Sequence, residues 1–167
     1  MHKYPKVNYI GNKEKLVKWI ISEMPVKRGK VLDIFSGGCS VSYALKDAGY
    51  EVIANDILYA DYIIAKALIS NDTKAISEGV FETKINARRV DVIRKKISFL
   101  EETLYYSEEV DELARLIAIS EQLEENQKYL FLALVRRAMI RKLPYSRMNV
   151  PWNQIQQLRD EEYSYSK

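Results

Sequence analysis

The stretch DIFSGGCSVS, residues 33–42, constrains this chain more than any other. The run VLDIF (31–35) is short, apolar and bracketed by polar residues, which reads as a buried strand. From Ser40 the spacing changes. Val41, Ala44, Leu45 and Ala48 recur at helical intervals, and Gly49 stands where a C-terminal cap belongs. EVIAND (51–56) reads as a second strand, and 57–70 as a helix with Ala60, Ile63, Ile64, Ala67 and Leu68 facing inward. Strand, glycine turn, helix, strand, helix is the opening of a parallel doubly wound α/β sheet.

The chain has only six glycines, and two of them, Gly37 and Gly38, fall in this turn. A chain leaving the carboxyl end of a parallel strand must reverse sharply before a helix. Glycine permits the backbone angles and lets a ligand approach the main chain closely. Asp33 and Phe35 flank the turn. Asp56 closes the second strand about twenty residues on, where an acid can grip a ribose hydroxyl. A nucleoside-containing cofactor suits that arrangement, whereas two glycines alone would mark no more than a tight connection. The glycines do not fit Gly-x-Gly-x-x-Gly, and no Lys-Ser or Lys-Thr pair follows them. A dinucleotide fingerprint and a phosphate-cradling loop are therefore both disfavoured.

Upstream, a helix is expected from Asn12 to about Met24, with Leu16, Ile20 and Met24 spaced by four; Pro25 and Gly29 end it. After residue 71 the pattern is helical almost throughout. Ile93, Ile97, Leu100 and Leu104 form one stripe, and Val110, Leu113, Ile117 and Leu123 another. Residues 129–143 suggest a third helix, although YLFLALV alone also suits a strand, and Pro144 and Pro151 break it. No third parallel strand stands out. Two domains are expected: a cofactor-binding part at 1–71 and a helical segment at 72–167.

The length of 167 residues suits an ordinary domain, and the net charge of +3 says little about partners. Its distribution says more. Residues 136–147 carry five basic residues and no acid, whereas 101–125 are strongly acidic. That layout suits one basic face turned toward a polyanion, though solvated helix faces also carry charge. The single Cys39 excludes an intramolecular disulfide and suits a reducing cytoplasm. No signal-type or bilayer-length apolar run is present, and no metal site is expected.

The turn resembles the Asp-x-Phe-x-Gly-x-Gly signature of S-adenosylmethionine-dependent DNA methyltransferases, with Cys39 at the last glycine position. NYIGNKEKL (8–16) is similar to the N-terminal motif of the enzymes that methylate the exocyclic amino group of adenine in DNA; Tyr9, Gly11 and Lys13 are the matching positions. RRAMIRKLPYSRMN, followed by DEEYSY, resembles the middle region of such enzymes, so the likeness covers nearly the whole chain. It implies a partial Rossmann-like methyltransferase fold. It also implies S-adenosylmethionine as cofactor, held by Tyr9, Gly11, Lys13, Asp33, Phe35, Ser36, Gly37, Gly38 and Asp56. Lys13 would pair with the methionine carboxylate, and Tyr9 would pack on the cofactor. Double-stranded DNA is the implied partner, with Arg136, Arg137, Arg141, Lys142 and Arg147 as phosphate-facing candidates. The setting implied is bacterial restriction-modification.

The same resemblance calls for a catalytic Asp/Asn-Pro-Pro-Tyr/Phe motif, which holds the target amino group while its ring stacks on the flipped base. Nothing in the sequence matches it. Leu143-Pro144-Tyr145-Ser146 shares one Pro-Tyr pair but lacks the acid and the second proline. The chain is therefore expected to be the N-terminal part of a DNA adenine methyltransferase, ending within its target-recognition region and inactive alone. A polypeptide carrying the missing half, and self-association through the open edge of VLDIF, are the further partners expected. Two readings stay open beside it: a methyltransferase for another substrate such as RNA, and a non-enzymatic DNA-binding module on a degenerate cofactor fold.

Overall fold

The computed structural model describes residues 4–5, 11–72, 75–143 and 150–165. It is an α/β structure with one parallel two-stranded sheet and, among the described residues, seven α-helices. The chain forms two compact units, Met1–Ile76 with Glu124–Ala133, and Ser77–Leu123 with Leu134–Lys167.

In the first unit a 3-10 turn, Glu14–Leu16, precedes α1 (Val17–Ser22). The helix expected from Asn12 is thus shorter at both ends. The Asn12 side chain accepts a hydrogen bond from the Glu14 N–H at 2.8 Å, and the Leu16 N–H donates to the Lys13 carbonyl at 2.8 Å, which sets a tighter first turn. At the other end Pro25 disfavours the helical conformation for Met24. Strand β1 (Lys30–Asp33) leads through the glycine turn into α2 (Ser40–Asp47), then β2 (Glu51–Ala54) and α3 (Tyr59–Leu68). The strands pair in parallel with Leu32 beside Ile53 and Asp33 beside Ala54. Helix α3 starts later than the apolar pattern suggests because the Asp56 carboxylate accepts a hydrogen bond from the Leu58 N–H at 3.1 Å, holding 57–58 in a turn.

One face of the sheet packs inward. Val52 and Ala54 lie against the buried Cys39, Ile64 and Ile69. Burying a side chain such as Ile64 is worth about 1.5–3 kcal/mol. Lys46 clasps the two helices: its ammonium donates to the carbonyls of Leu68, Ile69 and Asn71 and pairs with Asp72 at 2.6 Å. These are carbonyls that a helix end leaves without intrahelical partners. The expectation that VLDIF is buried is corrected on the other face, where Leu32 is 55% exposed. No layer among the described residues covers that side.

In the second unit, α4 (Ala87–Lys96) is capped by Asn86, whose side chain accepts from the Arg88 N–H at 2.9 Å. The stripe Ile93, Ile97, Leu100, Leu104 is not one helix. The chain leaves α4, makes a 3-10 turn at Ser98–Leu100 and reverses at Glu102, whose φ is 50°. Arg94 fastens this reversal by donating to Glu101 at 2.6 Å and to Asp111. The apolar spacing marks the buried side, and Ile97, Leu100 and Leu104 pack on Tyr105, Val110 and Leu143. Helix α5 (Ser107–Ser120) follows, so Leu123 lies beyond its end. Helix α6 (Glu125–Arg141) takes in YLFLALV and removes the strand alternative. Helix α7 (Trp152–Tyr165), unread in the sequence, begins just after Pro151, whose carbonyl accepts from Gln154 and Ile155.

The acid-rich stretch is largely spent on internal pairs. Arg89 meets Glu121 at 2.5 Å, and Arg115 meets Glu112 at 2.7 Å. Glu109 is the hub of the unit. It accepts from the Tyr106 N–H at the start of α5, from Lys142 at 2.7 Å and from Arg159 of α7 at 2.5 Å. Burial alone would raise its carboxyl; the bonds from Arg159 and Lys142 outweigh burial and hold it at about 2. That value lies below the ordinary 4.5, so the stabilisation is present above pH 4.5 and is lost as pH falls through 2. Glu109→Gln should cost about 2–4 kcal/mol at neutral pH, because it leaves Arg159 half-buried without its partner. Urea denaturation should show the gap between variant and wild type closing from pH 7 toward pH 2. Equal stability at pH 7 would show the hub to be idle.

Candidate functional site

The candidate site is the glycine turn at the carboxyl ends of β1 and β2. The Gly37 N–H donates to the Asp56 carboxylate at 2.8 Å, so the turn after the first strand is latched to the residue that follows the second. Gly37 has φ +47°, in the left-handed region that glycine enters without cost. Ser36 is buried, and its N–H donates to the Asn55 carbonyl at 2.9 Å. Asn55 adds a bond from its side-chain amide to the Ile34 carbonyl at 2.9 Å. The two strand ends are thereby stitched beyond the ladder itself.

The hydrogen bond from Gly37, with others from Leu58, lowers the Asp56 pKa below the usual carboxylate range. Each Asp56 oxygen accepts one of these bonds and keeps lone-pair capacity for another donor. Asp33 accepts from the Ser42 hydroxyl at 2.6 Å and so ties the end of β1 to the first turn of α2.

Cys39 occupies the position of the signature's last glycine. It adopts a left-handed conformation, with φ 63° and ψ 24°, and its N–H donates to the Ser36 carbonyl at 2.7 Å. A left-handed non-glycine residue is strained by about 1–3 kcal/mol. Full burial against Ile64 and Ile69 offsets that cost.

Other expected residues fall differently. Phe35 is 87% exposed at the strand end. The Gly38 carbonyl accepts from the Tyr4 hydroxyl, and the Tyr4 ring stands edge-on to Tyr43 at 5.7 Å. Gly11 has φ +83°, and Lys13 folds back to donate to its carbonyl at 2.9 Å. Tyr9 lies outside the described residues.

Of the basic candidates, Arg137 and Arg141 are exposed and without ion pairs among the described residues, while Arg136 is partly buried. Lys142 belongs to the Glu109 hub. Arg147, with Pro144 and Tyr145, lies outside the described residues. Leu143 is buried on Tyr105 and Val110, a packing role rather than a catalytic one.

Sequence reasoning passed over four contributors: Tyr4, Ser42, Asn55 and Ile57. Ile57 follows Asp56 and is 97% exposed, an apolar side chain held in the open beside the carboxylate. Its position after the acid was the available signal. Ser42 and Asn55 carried none beyond their nearness to the two acids.

Burial pushes the Cys39 thiol up to about 12, so it stays protonated in the folded chain at any ordinary pH. A thiol-exchange reagent at pH 8 should modify Cys39 about a hundredfold more slowly in the folded chain than in the urea-unfolded one. Equal rates would contradict the closed turn.

A family profile described as "D12 class N6 adenine-specific DNA methyltransferase" matches residues 9–162. The chain is 46% identical over 170 aligned residues to the Type II methyltransferase M2.HphI of Haemophilus parahaemolyticus, covering 99% of this chain and 49% of that protein. It is 26% identical over 151 residues to the Type II methyltransferase M.CviAII of Paramecium bursaria Chlorella virus 1, covering 71% of this chain and 46% of that one. The chain thus spans about half the length of the curated relatives it matches. No solved structure matches it significantly. A profile match over nearly the whole sequence, joined to the latched glycine turn, settles the family: the chain belongs to the D12 class N6 adenine-specific DNA methyltransferases.

Proposed function

We propose that this chain is the cofactor-binding, N-terminal portion of a DNA adenine methyltransferase with a partial Rossmann-like fold. In this reading the assembled enzyme transfers a methyl group from S-adenosylmethionine to the amino group of a flipped adenine. The observation that carries the proposal is the Gly37 to Asp56 bond, which joins the two parallel strand ends into one edge. The residues there fit a nucleoside ligand. Asp56 keeps acceptor capacity for ribose hydroxyls, the left-handed Gly37 leaves the main chain open, and Ile57 offers an apolar ledge for a purine ring. S-adenosylmethionine, when bound, supplies the methyl group. Asp33, braced by Ser42, keeps the strand end fixed beneath it.

On this reading 1–71 is the cofactor part and 72–167 begins target recognition. Arg137 and Arg141, four residues apart on one helix face, are the phosphate contacts on double-stranded DNA, with Arg136 beside them. The Type II naming of the relatives supports a restriction-modification role, and a cytoplasmic site follows from it. No helix among the described residues is long and apolar enough to cross a membrane. The sequence contains no Pro-Pro pair, so it cannot supply the polar side chain, proline carbonyl and stacking ring that hold the amino group.

Calorimetry should show Asp56→Ala weakening S-adenosylmethionine binding by about 1–3 kcal/mol; unchanged affinity would remove Asp56 from the pocket. Radiolabelled cofactor and mixed-sequence DNA should yield no labelled DNA with this chain alone. Label entering DNA under those conditions would refute the division of labour. Reversing Arg137 and Arg141 to Glu should reduce the salt slope of DNA binding by about two. An unaltered slope would leave the patch as ordinary surface.

A further inference from the structure

Helix α4 divides its cations between two faces. On the inner side Ile93, Val90 and Ile97 pack with Ala114 and Ala118 of α5. Arg89 and Arg94 flank that seam and are spent on Glu121, Glu101 and Asp111. The one acid of α4, Asp91, turns to the same side, into a cleft with Glu108 and Asp111. Arg88, Lys95 and Lys96 are exposed on the outer side, and none makes an ion pair among the described residues.

Two apolar side chains lie among these outer cations. Val92 is 44% exposed and Phe99 69%. Arg88, Val92 and Lys95 follow one another at intervals of four and three residues, which keeps them on one helix face. Phe99 continues the spacing in the 3-10 turn that follows.

Folding explains only part of this face. Lys95 and Lys96 stand in the last turn of α4, where the helix dipole favours a cation. Arg88 stands in the first turn, where the dipole opposes one. An open phenylalanine beside unspent cations also gains nothing from solvent, so the face suits a ligand that is both anionic and partly apolar. A lipid surface would call for a broader apolar stripe than two side chains. The substrate of the family is DNA, whose backbone alternates phosphates with apolar sugar faces. Arg88 and Lys95 are separated by roughly 10 Å along the helix axis. That span covers about three phosphate steps of one strand.

We propose that the outer face of α4 is a further, sequence-independent contact with double-stranded DNA, in which Arg88, Lys95 and Lys96 meet the phosphates of one strand and Val92 and Phe99 rest on its sugars. This inference rests on the methyltransferase-portion reading above and adds a surface to the Arg137 and Arg141 contacts.

The test measures binding of the purified chain to mixed-sequence duplex DNA over a range of salt. Replacing Arg88, Lys95 and Lys96 together by Gln should lower the salt slope by about two to three. Phe99→Ser should weaken binding about three- to tenfold and leave the slope as it was. Polyglutamate of matched charge should bind more weakly than DNA and ignore Phe99→Ser. In the unmutated chain, DNA should slow acetylation of Lys95 and Lys96 several-fold, which covers the case in which the triple variant fails to fold. Four results would overturn the proposal: no DNA binding by the wild-type chain, an unaltered slope in a folded triple variant, undiminished acetylation, or polyglutamate binding as tightly as DNA. Cofactor binding is read separately by calorimetry. A chain that holds DNA through α4 but takes up no S-adenosylmethionine sinks the methyltransferase reading and leaves the surface in place; a chain that binds cofactor without a DNA contact at α4 does the reverse.

Discussion

The hydrogen bond from the Gly37 N–H to the Asp56 carboxylate is the constraint on which the first unit depends. It joins the turn after β1 to the end of β2, and both strand ends must be in register for it to form. Three other features follow from that register. Ser36 donates to Asn55, Cys39 is forced into a left-handed conformation to start α2, and Leu58 caps back to Asp56 before α3. One carboxylate therefore organises the turns that precede two helices. Together with the Leu58 bond, the Gly37 bond uses one lone pair on each carboxylate oxygen, so a structural latch and a ligand contact are compatible in the same side chain.

The second unit is organised by a carboxylate too, in a different electrostatic setting. Glu109 collects Tyr106, Lys142 and Arg159 at the edge of an apolar cluster that includes Tyr105, Val110 and Leu143. Tyr105 donates from its hydroxyl to the Met139 carbonyl at 3.1 Å, and burial pushes that hydroxyl up to about 12. An acid partly withdrawn from water is costly unless several donors meet it, and here two cations and a backbone N–H do. The arrangement explains why Lys142 is not a spare cation, whereas Arg137 and Arg141, farther up α6, meet no acid among the described residues.

The sequence made the first five elements legible because period and punctuation agreed there. A short apolar run gave way to helical spacing at Ser40, and Gly49, at φ +90°, stood where α2 stops. The strand burial was misread because an apolar run does not say whether both of its faces are covered. The break at Ile97 was hidden for a related reason: the stripe from Ile93 to Leu104 records which side chains face the core, and a reversal fastened by Arg94 keeps that side while ending the helix. Lys142 looked like one more member of a basic run, since a partner thirty-three residues upstream in Glu109 leaves no local trace. At the site, the glycines and Asp56 were visible through their placement at strand ends. Ser42 and Asn55 were not, because their work is to brace neighbours through single hydrogen bonds that no spacing rule encodes.

The central claim is that the latched glycine turn is where S-adenosylmethionine binds. Titrating the cofactor into isotopically labelled chain while following backbone amide signals tests it most directly. The account predicts shifts concentrated at Phe35 to Cys39 and at Asn55 to Leu58, with the Gly37 amide among the largest because its bond to Asp56 senses the ligand first. Signals of α4, α5 and α7 should stay still. Shifts confined to those helices, or no shifts at millimolar cofactor, would contradict it.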